Sequence, residues 1–197
     1  DALPIFLILS FFLLTNFSSA QSFESGLIGG ISTSQVSGDG LGGFHKIGLR
    51  LGGFVKHKIG GTTSGQFEIY YIDKGSDQPK TNFQIDLSYV ETSWSIQKEY
   101  QGFIYEGGLL FGVLIDGTTY DYYGLKDQSK SDFSKFDIGA KMALGKELMP
   151  KLFMFWELSN TIPFFPIQEH PAYTSIFNKG KMNAVLCFSF RYLLGNE

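Results

Sequence analysis

Between Gly102 and Asp116 the chain reads GFIYEGGLLFGVLID, and its side chains alternate in character with period two. Phe103, Tyr105, Leu109, Phe111, Val113 and Ile115 share one face, while Glu106, Gly108 and Gly112 fall on the other among a few aliphatic residues. Successive residues of a strand point to opposite sides, so this spacing specifies a β-strand. The run far exceeds the about 5–6 residues of a strand in an ordinary soluble domain. A strand this long, with one greasy face, needs either a deep core or a bilayer.

Seven more segments read as strands: 27–36, 47–57, 65–73, 83–96, 133–144, 152–160 and 181–194. The connections between them alternate in length. Short turns follow the second, fourth and sixth strands, around KIGGTT, QKEYQ and GKELMPK. Longer stretches follow the others: SGDGLGGFHK, KGSDQPKTN, GTTYDYYGLKDQSKSD and TIPFFPIQEHPAYTSIFNKG. An up-and-down barrel with periplasmic termini has this pattern, whereas a β-sandwich does not require it. With 24 Gly, 20 Phe and 10 Tyr against 6 Pro, the composition suits many strands and tight turns. No repeat or linker divides residues 21–197, which read as a single domain.

The first twenty residues differ in kind. ALPIFLILSFFLL is an apolar run of signal-peptide length, shorter than the about 20 residues of a spanning helix. Ser18 and Ala20 place small residues before a cut at Ala20–Gln21. The usual basic leader is missing and the chain begins at Asp1, so we expect a signal peptide at 1–20 that lacks its first residues. The mature protein is then exported, and no later apolar run is long enough for a transmembrane helix. An exported chain of alternating strands can still enter the outer membrane of a Gram-negative bacterium as a closed barrel.

The phase of each strand sorts its residues. In the last, Met182, Ala184, Leu186, Phe188, Phe190, Tyr192 and Leu194 oppose Lys181, Asn183, Cys187, Ser189 and Arg191. In the sixth, Phe136, Ile138, Ala140, Met142 and Leu144 oppose Lys135, Asp137 and Lys141. In the second, Ile47, Leu49, Leu51 and Val55 oppose Lys46, Arg50 and Lys56. In the fourth, the apolar phase holds to Tyr89 and then passes to Val90, Thr92, Trp94 and Ile96, which predicts a bulge. Alternation alone does not say which face is inward. The signal peptide, the long strands and the mixed charges favour lipid-facing apolar sides. Arg50, Glu68, Asp86, Glu106, Lys135, Asp137, Lys141, Glu157 and Arg191 then form an interior polar plug. Eight strands leave an interior that side chains fill, and buried charges must compensate one another, so we expect no general porin. A soluble periplasmic ligand-binding barrel, with the charged face outside, is the reading that alternation leaves open.

Several stretches resemble the PorT-like outer-membrane β-barrel family. They are GLIGGISTSQVSGDG, KIGLRLGGFVKHKI, GQFEIYYIDKGS with Glu68, Tyr71, Lys74 and Gly75, IDLSYVETS, FDIGAKMALGKEL and LCFSFRYLL. The resemblance spans the mature chain in order and spacing. It departs at Ser93, where the family often has a proline, and at the close LLGNE, where barrels commonly end in an aromatic residue. The resemblance implies the barrel fold and, through the family's association with type IX secretion machinery, a role accessory to protein secretion.

Motifs for chemistry are sparse. His45, His170 and Glu169 lie in loops without a zinc spacing, so no metal site is expected. His57 precedes Thr62, Thr63 and Ser64 across a turn, the one place for a lipid-modifying rim enzyme, yet no nucleophile elbow accompanies it. GDGLGG precedes no helix and so makes no phosphate cradle; DQSKSD lacks the acids of a calcium loop. Cys187 is the sole cysteine and reads as a packing residue. No catalytic residue and no cofactor are expected. The formal net charge of −3 argues against nucleic acid. The expected partners are outer-membrane lipid and proteins met through the loops or periplasmic turns. Tyr120, Tyr122 and Tyr123 offer either a contact surface or an interfacial aromatic belt, and Phe164 and Phe165 either cover the barrel mouth or dock a partner. The whole reads as a non-enzymatic, eight-stranded antiparallel transmembrane barrel acting as a structural, assembly or interaction module.

Overall fold

Antiparallel alternation carries nearly the whole described chain into strands. The computed structural model describes residues 23–38, 43–78, 82–126, 133–169 and 180–194. The signal-peptide reading of 1–20, most of the GDGLGG stretch, the DQSKSD tip and His170 lie outside the described residues. The elements are β1 (Phe23–Ser37), β2 (Lys46–Gly60), β3 (Thr63–Asp77), β4 (Gln84–Tyr100), β5 (Phe103–Tyr120), β6 (Phe136–Met149), β7 (Leu152–Thr161), β8 (Gln168–Glu169) and β9 (Gly180–Leu193). β1 to β7 pair in chain order, β9 joins β7, and β9 returns to β1 from Gly26↔Leu193 to Ser37↔Met182. That last seam closes an eight-stave barrel and leaves no sheet edge. β8 is no stave; its two residues pair with Gly180 and Lys181 at the start of β9.

One end of the barrel is tight. Gly60↔Thr63, Tyr100↔Phe103 and Met149↔Leu152 each flank a two-residue turn. Gln101 (φ 51°) and Gly102 (φ 76°) both take the left-handed backbone that a type I′ turn requires. All the long connections leave from the opposite end, as expected for the extracellular side of an outer-membrane barrel.

The outer wall is apolar. Leu27, Leu49, Ile69, Trp94, Leu109, Met142, Trp156 and Leu186 all stand exposed on it. Aromatic residues crowd both ends: Phe23, Tyr100, Phe103, Tyr105 and Tyr192 by the tight turns, Phe44, Tyr122, Tyr123, Phe164 and Phe165 by the long connections. Outward residues of β5 stay apolar or glycine from Phe103 to Val113. About ten steps of about 3.3 Å along a strand tilted by about 40° climb roughly 25 Å, the height of an outer-membrane barrel's apolar band. Water cannot be the solvent of such a wall, and the closed backbone satisfies its own hydrogen bonds in hydrocarbon. The chain is a transmembrane barrel of the outer-membrane type.

The fourth strand corrects the sequence expectation. β4 keeps one phase throughout, with Ile85, Leu87, Tyr89, Glu91, Ser93, Ser95 and Gln97 all buried inward. The register does shift between Ser88 and Tyr89, but the extra residue is Ile115 on β5. What changes along β4 is the surroundings. Within the band, lipid lies outside and polar side chains fill the lumen. Above it the outer face turns polar, with Gln84, Asp86 and Ser88, and the lumen holds an apolar cluster. That cluster joins Val36, Ile72, Ile85, Leu87, Phe133, Ile167 and Val185. A smaller one, Ile104, Ala143 and Phe155, closes the tight-turn end.

Candidate functional site

Between the two apolar clusters lies a buried ionic network. Its six charged groups come from six different staves: Arg50 on β2, Glu68 on β3, Glu106 on β5, Lys141 on β6, Glu157 on β7 and Arg191 on β9. Each strand contributes the residue that its inward phase brings to the same depth. Arg50 meets Glu68 at 2.9 Å and Glu157 at 2.8 Å. Lys141 meets Glu68 at 2.6 Å, Glu106 at 2.8 Å and Glu157 at 3.4 Å. Arg191 meets Glu106 at 2.6 Å, Glu68 at 3.1 Å and Glu157 at 3.5 Å. β4 adds neutral donors: Ser93 Oγ donates to Glu68 at 2.8 Å and Gln97 Nε2 to Glu106 at 2.7 Å. Gln66 Nε2 donates to Glu68 at 2.7 Å. The guanidinium of Arg50 lies 4.0 Å from the Tyr70 ring centre, and that of Arg191 lies 3.7 Å from the Phe155 ring centre.

Oxygens of Glu68, Glu106 and Glu157 lie within 4.8 Å of one another, a spacing that would suit a hard cation. Three protein cations already interleave with these three carboxylates, so the network is neutral by itself and offers a metal no net attraction. Chemically it is a cross-link: one ionic knot ties six staves together and fills the middle of the lumen.

A second cluster sits nearer the long connections. Lys74 on β3 is ion-paired with Glu91 on β4, and its Nζ lies 3.2 Å from Asp137 on β6. Asp137 also accepts from Thr161 Oγ1 at 2.7 Å and Asn183 Nδ2 at 2.8 Å. Gly112 faces this cluster, where an added Cβ would come within 3.1 Å of Glu91 Oε1. By sequence alone Lys74 falls at the start of a loop and Glu91 beyond the expected slip of its strand, so neither is expected in the lumen. The signal was present: Lys74 shares phase with Glu68, Tyr70 and Ile72, and Glu91 with Ser93 and Ser95.

Two residues assigned to the plug are not in it. Asp86 lies on the outer side of β4, where Lys46 pairs with it and Gln84 Nε2 donates to it at 2.8 Å. The alternation points Asp86 inward only if Leu87 and Tyr89 meet lipid, whereas both are buried in the lumen. Lys135 is exposed just before β6 begins at Phe136, and its carbonyl accepts from Leu114 N at 2.8 Å. Phe133 there enters the upper apolar cluster, so the chain reaches the ladder later than the alternation suggests.

The loop-end aromatics form two groups. Tyr120 ends β5 and bridges to Lys126. Between them Asp121 Oδ1 accepts from Tyr123 N and Leu125 N, each at 2.9 Å. This rigid turn leaves Tyr123 84% exposed, while the Tyr122 ring packs 5.2 Å from that of Phe83. Phe164 and Phe165, both 54% exposed, line an open groove of about 810 Å³ with Phe136, Ile138 and Pro166. At the tight-turn end, His57 packs outside against Phe23 with centroids 5.0 Å apart and the rings tilted by 37°, while Ser64 turns into the lumen. His57 and Ser64 therefore lie on opposite sides of the wall and do not pair with each other. His45 is exposed.

No family model matches the chain, and no curated protein is similar to it. Solved structures are similar in fold. Ail, the attachment invasion locus protein of Yersinia pestis, superposes with a TM-score of 0.52 at 11% identity, over 87% of this chain and 98% of that one. A major outer membrane protein from Thermus thermophilus does so at 0.51 and 10%, over 88% and 100%. Neisserial surface protein A does so at 0.50 and 13%, over 86% and 96%. At these identities the likeness is one of fold: a small outer-membrane barrel.

Proposed function

We propose that this barrel is a non-enzymatic anchor in the outer membrane of a Gram-negative bacterium, and that it presents a docking surface for a protein partner at its long-loop end. The observation that carries the reading is a contrast between the two parts of the molecule. The lumen is occupied by a self-neutralised ionic knot and two apolar clusters, which suits rigidity rather than transport. The loop end instead displays Tyr122, Tyr123, Leu125, Phe164 and Phe165 to the exterior. Aromatic side chains on a rigid base bind with little entropy to lose.

The test is photo-crosslinking in intact outer membranes from a probe at position 123, with a probe at Leu109 as the lipid-facing reference. A discrete protein adduct from 123 alone supports docking. Adducts at neither position, or equally at both, defeat it. The barrel itself is checked first, by gel mobility of unboiled against boiled protein from washed membranes. Protein found only in the soluble fraction would revive the periplasmic ligand-binding reading.

A role accessory to type IX secretion rests on the sequence resemblance to the PorT-like family. Deletion of the gene with secreted proteins held in the periplasm would support it, and undiminished secretion would remove it. For the rim-enzyme alternative, the expected result is that His57→Ala leaves lipid composition unchanged.

A further inference from the structure

The connection after β7 makes a rigid arch beside the start of β6. Ile162 N donates to Ile138 O at 2.8 Å and Ser134 N donates to Ile167 O at 2.6 Å, so the arch is pinned at both feet. Between them Phe165 N donates to Ile162 O at 2.9 Å, and Pro163 and Pro166 each fix a backbone angle. The groove of about 810 Å³ is lined by this arch and by Phe136 and Ile138 on the outer face of β6.

Strand register sets the depth of that groove. Phe136 pairs with Val113 and Ile138 with Phe111, both on the lipid-facing wall of β5. The Phe136 ring stacks on that of Phe111 with centroids 5.5 Å apart, so the floor of the groove continues the wall without a break. Val113 marks the upper edge of the apolar band, and beyond it the outer face turns polar with Ser88, Asp86 and Asp116. The floor therefore lies where acyl chains meet headgroups. The groove also has a polar part, with Ser134, Gln168 and Glu169. Lys135 follows Ser134, is exposed and has no acidic partner among the described residues, and Lys181 pairs with Gln168 in the β8–β9 ladder. Two lysines against one glutamate leave these surroundings with a net positive charge.

We propose that the groove holds one acyl chain of an anionic lipid of the outer leaflet, the chain against Phe136, Ile138, Phe164 and Phe165 and the headgroup beside Lys135. Continuity with the lipid-facing wall argues for lipid as the occupant, because apolar rings at hydrocarbon depth are covered by chains rather than water. The volume falls within the about 300–1,000 Å³ of sites that enclose a small ligand. Tyr122, Tyr123 and Leu125 then remain the face open to a protein partner.

The experiment uses the full barrel with Trp94→Phe and Trp156→Phe, refolded in phosphatidylcholine vesicles, with gel mobility to confirm folding. A single reporter is placed by Phe164→Trp, or by Leu109→Trp as the reference on the open wall. A small fraction of the lipid carries bromine on its acyl chains, which quenches tryptophan on contact. Brominated phosphatidylglycerol should quench position 164 well beyond position 109, since a bound chain fills the groove while the bulk lipid is still mostly unbrominated. One lysine beside an anionic headgroup should favour phosphatidylglycerol over phosphatidylcholine about fivefold at position 164. Lys135→Gln should remove that preference. Phe165→Ser takes away one flank and should return position 164 to the level of position 109. Equal quenching at the two positions, or none at position 164, overturns the proposal. Equal quenching by the two brominated lipids overturns the anionic headgroup. This readout is separate from the crosslink at position 123, which tests protein docking.

Discussion

Lys141→Met tests whether the ionic knot acts as one unit. The ammonium of Lys141 touches all three carboxylates, at 2.6, 2.8 and 3.4 Å. Methionine keeps most of the stem and removes only the charge. Two guanidinium groups would then face three carboxylates whose oxygens lie within 4.8 Å of one another. Removing one partner from a buried ion pair costs about 3–5 kcal/mol, or roughly 10²–10⁴ in the folded-to-unfolded ratio. Much of that is the penalty for the uncompensated charge, so it should be recoverable. Adding Glu157→Gln to Lys141→Met restores two against two, and the amide oxygen can still accept from Arg50. The double variant should regain most of the loss. Urea titration of the refolded barrel reads the effect, followed by gel mobility and by the fluorescence of Trp94 and Trp156, the two tryptophans of the chain, both on the outer wall. A single variant as stable as the wild type would refute the reasoning. A double variant no better than the single would refute it equally.

The lipid-facing wall makes its own prediction. Leu109→Arg, at the middle of the apolar band, should destabilise refolding into vesicles by about 2–4 kcal/mol. Tyr123→Arg, at an exposed loop tip, should stay within about 0.5 kcal/mol of wild type. Leu87→Ala should cost about 2–5 kcal/mol in a urea titration, because Leu87 fills the upper apolar cluster. A near-neutral Leu87→Ala would put that side chain outside the lumen. Gln101→Asn should stabilise the barrel by up to about 1 kcal/mol, since Asn tolerates the left-handed backbone that costs other residues about 1–2 kcal/mol. The same titration checks it, and a loss of stability would contradict the type I′ assignment.

Much of the interior was legible from phase alone. Arg50, Glu68, Glu106, Asp137, Lys141, Glu157 and Arg191 each oppose an apolar face on their own strand, and the structure buries all seven. Their partnerships were not legible. Arg191 and Glu106 are 85 positions apart in the chain, and no local pattern tells which depth each reaches. That depends on strand tilt and register, which belong to the closed ring. Asp86 and Lys135 show the limit from the other side. Both would face the lumen only if the apolar face of a strand met lipid along its whole length. At Asp86 the strand has already left the band, and at Lys135 the strand has not yet begun.

The sequence by itself determined the barrel: period-two alternation, the short and long connections and eight segments of spanning length leave little else for the chain to form. Each is a local property, written in neighbouring residues. Only the tertiary structure decided what each face meets. Within the band the outside is hydrocarbon and the inside must be polar and self-neutralising. Above the band the outside is water, so Leu87 and Tyr89 turn into the lumen while the backbone of β4 never changes phase. The hydrophobic pattern inverts there because the solvent changes, and no strand carries a record of where its solvent ends.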